Sequence, residues 1–283
     1  MASIQSATQL REKLPFNWGS LLRWLGIAML LLWLIAPMIP LFIWSIAYRW
    51  FFPNILPASY NMRAWEYAFS PAAGALESLY ITTYIAVVVT LLSILVGVPA
   101  GRALGLHRFR GKRIIELLIL SPTIIPSLAV ILGIHVVFIR LGIANSVLGV
   151  ILVHLIPGLP YMTLVMAGVF ANYDPQFEEQ ARSLGAGPIA TIWYVMIPTV
   201  MPGIIVGGLF TFLISWAQYI TTLIIGGGRV QTLPLKLFNF VSSTDYPVTG
   251  ALGIIFIAPG VLVLLLTSRY LTGRSAVGGI GNI

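Results

Sequence analysis

The chain has 283 residues, 58% of them hydrophobic and only 8% charged, whereas a soluble domain carries roughly 25% charged residues. That balance excludes an ordinary soluble fold and implies a membrane protein. Lys and Arg outnumber Asp and Glu 16 to 8, for a formal net charge of +8, and there are no cysteines. Disulfides, thiolate metal sites and Cys nucleophiles are therefore excluded. The bases lie in short tracts between apolar runs, so anionic lipid headgroups rather than nucleic acid are the expected counter-charge.

Residues 1–20 are polar and lead into an apolar stretch too long for a signal-peptide core, so they read as a retained cytoplasmic tail before a first anchor. A bilayer core needs about 20 apolar residues per helix. Six stretches qualify in chain order: Leu21 to Ala47, Leu76 to Ala100, Ile114 to Ile139, Val147 to Ala171, Ile197 to Ile225 and Val248 to Leu271. All six are expected to be helices, since an open strand leaves its backbone groups unpaired in lipid. The expectation is one all-α integral membrane domain over 21–271, followed by a cytoplasmic tail at 272–283.

Orientation follows from the bases. Arg11, Lys13, Arg23, Arg102, Arg108, Arg110, Lys112, Arg113, Arg182, Arg269 and Arg274 fall on one side, against Arg49, Arg63, Arg140, Arg229 and Lys236 on the other. Eleven against five places both termini in the cytoplasm. Trp44, Trp50, Phe51 and Phe52 crowd the outer end of the first span, as interfacial aromatics do. The loop from Tyr48 to Ala75, with Pro53, Pro57 and Pro71, is expected to be turn-rich and to cap the outer mouth of the bundle.

The third span contains "SPTIIPS" with Pro122 and Pro126, and the fourth "HLIPGLPYM" with Pro157, Gly158 and Pro160. Proline removes a backbone donor and opens a helix, which membranes tolerate where neighbours or a watery cavity satisfy the freed carbonyls. Such interruptions fit a transport path and a packing kink equally well. The fifth span places Ser215, Gln218 and Thr222 at helical spacing, with Trp216 and Tyr219 beside them and Thr221 adjacent. A polar stripe there suits a solute path or interhelical hydrogen bonds. His135 and His154 also lie within spans, each expected as a neutral ring bonded to a neighbouring helix. Glu116 reads as an interfacial partner of Arg113 or Lys112.

Several chemistries are excluded. Lys13, Lys112 and Lys236 are followed by Leu14, Arg113 and Leu237, so none completes a phosphate-binding loop. None of His107, His135 and His154 is followed by Glu, so no zinc-peptidase motif is present; sequence order alone leaves a Ser-His-Asp site open, but no Gly-x-Ser-x-Gly elbow occurs.

The loop before the fifth span reads "EEQARSLGAGPIATIWYVMIPTVMPG". Asp174 and Pro175 mark a helix start, with Gln176, Glu178 and Glu179 in the first turn, where negative charge complements the helix dipole. That helix is expected to run to about Leu184 and to break at Gly185, Ala186, Gly187 and Pro188, with a second amphipathic stretch leading into the span. A helix, turn and helix of this kind presents a rigid knob to the cytoplasm.

The spacing Glu179-x-Ala181-x-x-x-Gly185, then Ile197-Pro198 and Pro202-Gly203, resembles the EAA loop of permease subunits of bacterial ABC importers, with Gln180 where that family usually has Ala. The resemblance implies a type I ABC importer permease fold in the bacterial inner membrane. It makes 174–197 the coupling loop, Glu179 its anchor on the ATP-hydrolysing subunit, Ala181 and Leu184 its packing face and Gly185 its hinge. It implies a second permease, two ATP-binding subunits that hold ATP and Mg, and an extracytoplasmic solute-binding protein, with no cofactor in this chain. Within the family, "SPTIIPSLAVILGI" and "GRVQTLPLKLFNFV" look like the polyamine, opine and aminoalkylphosphonate group. Several polyamine members of that group place an acid directly after the second proline of the third span, where this chain has Ser127. The path is expected to involve Ser127, Ser215, Trp216, Gln218, Tyr219 and Thr222. The competing function is an ion-coupled secondary transporter, which the broken helices also fit but which usually needs intramembrane acids.

Overall fold

The computed structural model describes residues 18–51 and 53–271. The two tails, with Arg11, Lys13 and Arg274, and Phe52 lie outside the described residues. Among the described residues, four helices are each long and apolar enough to cross a bilayer, and two bent pairs qualify jointly, which makes six spans if each pair is one.

The first span is such a pair. Helix α1 (Trp18–Ile35) meets α2 (Met38–Ile46) at 45°. The expected continuous helix is broken at Pro37, whose ring excludes the preceding turn and removes a donor. A two-residue hairpin follows, β1 (Ala47–Tyr48) against β2 (Ser59–Tyr60), with Ala47 opposite Tyr60. Helix α3 (Arg63–Phe69) and a single 3-10 turn (Pro71–Ala73) complete the loop. This segment is more ordered than a run of turns. Ala64 and Ala68 are buried in a cluster with Trp216, Leu233 and Leu252, and an open cleft of about 720 Å³ lined by Trp44, Trp50 and Tyr246 lies beside it.

Helix α4 (Ala75–Leu106) packs along α7 (Val147–Ala171), the most extensive helix pair. Glycines explain how closely they approach. A Cβ at Gly101 would lie 2.5 Å from Met166 Cβ, and one at Gly105 2.6 Å from Phe170 Cβ. Small residues at this four-residue spacing let membrane helices pack backbone to backbone, where dispersion rather than water exclusion supplies the attraction.

Between them, α5 (Lys112–Ile124) and α6 (Ser127–Arg140) turn by 91°. The uninterrupted third span expected from hydropathy is thus two helices. Pro126 drives Ile125 into extended backbone (ψ 138°), the conformation a residue before proline prefers. Lys112 pairs with Glu116 at 3.9 Å, one of the two interfacial partners expected for that carboxylate.

After α7 come α8 (Gln176–Ser183), α9 (Pro188–Thr191) and a π-helical turn (Ile192–Met196) that runs into α10 (Ile197–Trp216). The fifth span does not continue to Ile225. The chain leaves the helix at Ala217 and re-enters it as α11 (Ile220–Gly226). No proline or glycine sits at this break. Instead Gln218 is held locally: its side-chain oxygen accepts from Thr221 Oγ1 at 2.7 Å and its carbonyl from Thr222 Oγ1 at 3.2 Å, bonds that compete with the helical ladder. Helices α12 (Leu233–Ser242) and α13 (Tyr246–Leu271) close the bundle, with Gly250 and Gly253 of α13 seated against Leu41 of α2. Outward-facing Leu91, Leu95, Leu117, Leu132 and Leu265 leave an apolar belt, as lipid contact requires.

Candidate functional site

The polar break before the fifth span forms a knob at one end of the bundle. Asp174 Oδ1 accepts from the Gln176 N–H at 3.0 Å and starts α8, and Glu178 and Glu179 occupy the first turn. The helix stops in a Schellman turn. Ala186 N–H donates to Ala181 O at 3.0 Å, Gly185 N–H to Arg182 O at 2.9 Å, and Gly185 takes φ +87°, which glycine adopts without a Cβ penalty. Pro188 then opens α9 at a position where its missing N–H has no partner to lose.

The predicted coupling residues divide by exposure. Leu184 is 90% exposed and shares a shallow concavity with Gln176, Glu179, Gln180 and Ser183, whereas Ala181 is half-buried. Glu179 and Leu184 therefore form one open face of the knob, and Gly185 sets its end.

Its neighbour Glu178 is buried. Arg102, in the last turns of α4, places Nη2 3.0 and 2.8 Å from the two Glu178 carboxylate oxygens and Nη1 3.2 Å from Met196 Sδ. Arg182, one turn along α8, adds a longer contact of 3.5 Å. Tyr173 packs in the same cluster; burial first, and then the Glu178 carboxylate, push its phenol up to about 12. Sequence reading placed Glu178 only in a helix first turn and Arg102 only in a topology count. The available signal was the i,i+4 pair Glu178 and Arg182; the long-range partner had none.

A second feature lies where the helix breaks meet. A cavity of about 370 Å³ is lined by Pro122, Ser127, Pro157, Gln218, Tyr219 and Thr221 together with apolar side chains. The α5–α6 break, the α10–α11 break and Pro157 of α7 converge on it. Among its lining residues none is ionised.

Of the predicted path residues, Ser127, Gln218 and Tyr219 face this cavity. Ser215 and Thr222 are turned to His154, which is 1% exposed: Ser215 Oγ lies 2.9 Å from Nδ1 and Thr222 Oγ1 2.9 Å from Nε2. Because the Thr222 hydroxyl donates to Gln218 O, it accepts from Nε2–H, and Ser215 then donates to Nδ1. That is the pattern of a neutral ring bonded to neighbouring helices. His135, within α6, differs from the expectation: its side chain forms no hydrogen bond among the described residues. Trp216 is 3% exposed; its Nε1–H donates to Phe256 O at 3.1 Å and its ring stacks between Phe212 and Phe256, tying α10 to α13. Thr221, which lines the cavity, was not among the predicted path residues, because nothing in spacing separates it from Thr222.

Up to six membrane spans, with helix breaks meeting at a cavity that holds Ser127, Gln218, Tyr219 and Thr221, describe a polytopic membrane protein. Residues 93–276 match the family model for the "binding-protein-dependent transport system inner membrane component", and the chain belongs to that family. It is 27% identical over 230 residues to a putative ABC transporter permease protein of Streptomyces antibioticus, covering 80% of this chain and 98% of that one. It is 26% identical to the spermidine/putrescine transport system permease protein PotC of Haemophilus influenzae (71% of this chain, 76% of that one). It is 29% identical to the molybdenum transport system permease protein ModB of Mycobacterium bovis (72% and 81%). The fold matches a bacterial ABC transporter involved in the import of alginate, with a TM-score of 0.69 at 19% identity over 89% of this chain and 96% of that one. The chain is an ABC importer permease with the type I fold, multi-pass in the inner membrane.

Proposed function

We propose that this chain is one of two permease subunits enclosing the path of a small polar solute, polyamine-like, opine-like or a related amine or amino-acid derivative. Two separate ATP-binding subunits hold ATP and Mg, and an extracytoplasmic binding protein delivers the solute. The observation that carries the reading is the knob: a short helix closed by Gly185, with Glu179 and Leu184 exposed on one face for a partner. ATP binding draws the two nucleotide-binding subunits together and moves the knobs with them. The bundle opens outward under the docked binding protein, and hydrolysis resets it.

Ser127, Gln218, Tyr219 and Thr221 offer the solute hydroxyl and amide groups, while Ser215, Thr222 and Trp216 brace the walls. This subunit supplies hydrogen bonding and no formal charge at the cavity, so the counter-charge for an ionised solute comes from the second permease or the binding protein. The relatives named above are described for cargoes as different as spermidine and molybdenum, and they do not single out one solute. The family match does not favour an ion-coupled carrier, which the broken helices alone also fit.

The test is reconstitution in proteoliposomes with an ATPase, a second permease and a binding protein from the same cell, scored on uptake of spermidine, an opine, molybdate and alginate oligosaccharides. Uptake that needs ATP and the ATPase subunits is expected. Uptake by this chain without any ATPase subunit overturns the reading.

A further inference from the structure

We propose that Arg102 and Glu178 are positioning residues that latch the knob to α4, so that a displacement of α8 is delivered to α4 directly and not only through the chain linking α8 to its sequence neighbours. By covalent connection, α8 is attached to α7 through 172–175 and to α10 through 184–196. Neither connection reaches α4. The Arg102 guanidinium does, with one nitrogen on both oxygens of Glu178 and the other on Met196 at the entrance to α10. The Glu178 side chain is 5% exposed and that of Arg102 30%, so a buried carboxylate meets a partly exposed guanidinium, held on both of its oxygens rather than in a loose surface contact.

The receiving end is stiff. Gly101 flanks Arg102 and packs against the Met166 backbone, and Gly105 against Phe170, so α4 and α7 form one body at this level. The division of labour on α8 follows: Glu179 and Leu184 face outward, while Glu178 faces inward and holds the helix to the bundle. A partner pulling on the outer face must move α4 or break the pair. The latch itself rests on the geometry alone; its role in transport rests on reading α8 as the ATPase-docking helix.

Two measurements separate these. In the full chain in lipid nanodiscs, Glu178→Gln and Arg102→Gln are expected to speed amide exchange over 174–186 by about tenfold, with α4 and α7 unchanged, because a locally opened segment exchanges by its own opening equilibrium. The exchanged pair Arg102→Glu with Glu178→Arg is expected to recover most of the protection. Unchanged exchange in both single variants, or loosening of the whole bundle, overturns the latch.

In the second, the absence of native cysteine allows spin labels at Ser183→Cys and His107→Cys in the complex with its ATPase subunits, compared without nucleotide and trapped with ATP and vanadate. With the latch intact that distance stays constant, while Ser183 shifts relative to a label at Arg229→Cys at the far end. In Glu178→Gln the distance from Ser183 to His107 changes on trapping. A change with the latch intact overturns the proposal. If Ser183 does not move relative to Arg229 at all, the importer reading fails, and the exchange experiment still decides the latch.

Discussion

His154 Nδ1 lies 2.9 Å from Ser215 Oγ, joining the N-terminal third of α7 to the last turn of α10 in a fully buried contact. The opposite ring nitrogen meets Thr222 of α11 at the same distance, so one imidazole spans the break in the fifth span. His154→Leu keeps the volume but leaves Ser215 with no acceptor and Thr222 with one fewer partner in a dry site. The expected cost is about 1–3 kcal/mol, read as a lower unfolding temperature in detergent, because a buried group left unpaired carries its full desolvation penalty. Ser215→Ala deletes one bond and leaves only an uncommitted ring acceptor, so it is expected to cost about 1 kcal/mol.

The α4–α7 seam predicts a contrast between glycines. Gly101→Ala places a methyl where Met166 Cβ and the Ala167 backbone nitrogen already stand, at 2.5 and 2.9 Å, and backbone cannot step aside as a flexible side chain does. The expected loss is about 1–3 kcal/mol, typical of overpacking. Gly133→Ala, in α6 with nothing within 4 Å, meets no obstacle. It is expected to be neutral or stabilising by up to about 1 kcal/mol through helix propensity. Thermal unfolding of the two variants side by side checks both.

The spans were legible because bilayer thickness and backbone pairing leave few alternatives: Val147 to Ala171 falls on the observed α7 end to end. The breaks were only half legible. Pro122 and Pro126 and Pro157 and Pro160 gave one signal with two outcomes, since α7 stays helical through its prolines while α5 and α6 part at 91°. Packing decides between them. Helix α7 is gripped by α4 and α10 on both sides, whereas Ile131 is the one buried residue of α6, so little there resists the proline. The break after Trp216 carried no proline or glycine to announce it; Thr221 and Thr222 bond Gln218 locally, and His154 meets Ser215 and Thr222, a contact that only the fold brings together. The knob was legible from a local motif. Its tether to Arg102, 76 residues away in sequence, was not.

Glu179 forms no ion pair among the described residues and lies on the open face of α8. Glu179→Arg is therefore expected to leave insertion and unfolding temperature unchanged while abolishing co-purification with the ATPase subunits and ATP-driven uptake. Gly185 gives a graded test of the turn. Its φ of +87° strains any residue with a Cβ, so Gly185→Ala costs about 1–2 kcal/mol locally. Gly185→Pro, locked near −65° and without the N–H that reaches Arg182, removes the Schellman turn and is expected to match the Glu179→Arg defect. A Gly185→Pro variant that still binds the ATPase would separate the turn from docking.

Tyr173 offers a pH test of the cluster around Glu178. Burial, reinforced by the Glu178 charge and only partly opposed by Arg102, raises its phenol from 10.0 to about 12. The folded chain thus holds this proton where the unfolded chain has released it. Stability from this group is complete below pH 10, falls as pH rises through the interval from 10 to about 12, and levels off above, because the folded state binds more protons only within that window. Phenolate absorbance should show one late-titrating group that vanishes in Tyr173→Phe, and the slope of stability against pH in that window should flatten in the same variant. Removing the opposing guanidinium with Arg102→Gln should move the late titration higher. If the late group moves lower instead, the guanidinium is not acting on Tyr173 as its position in the cluster requires.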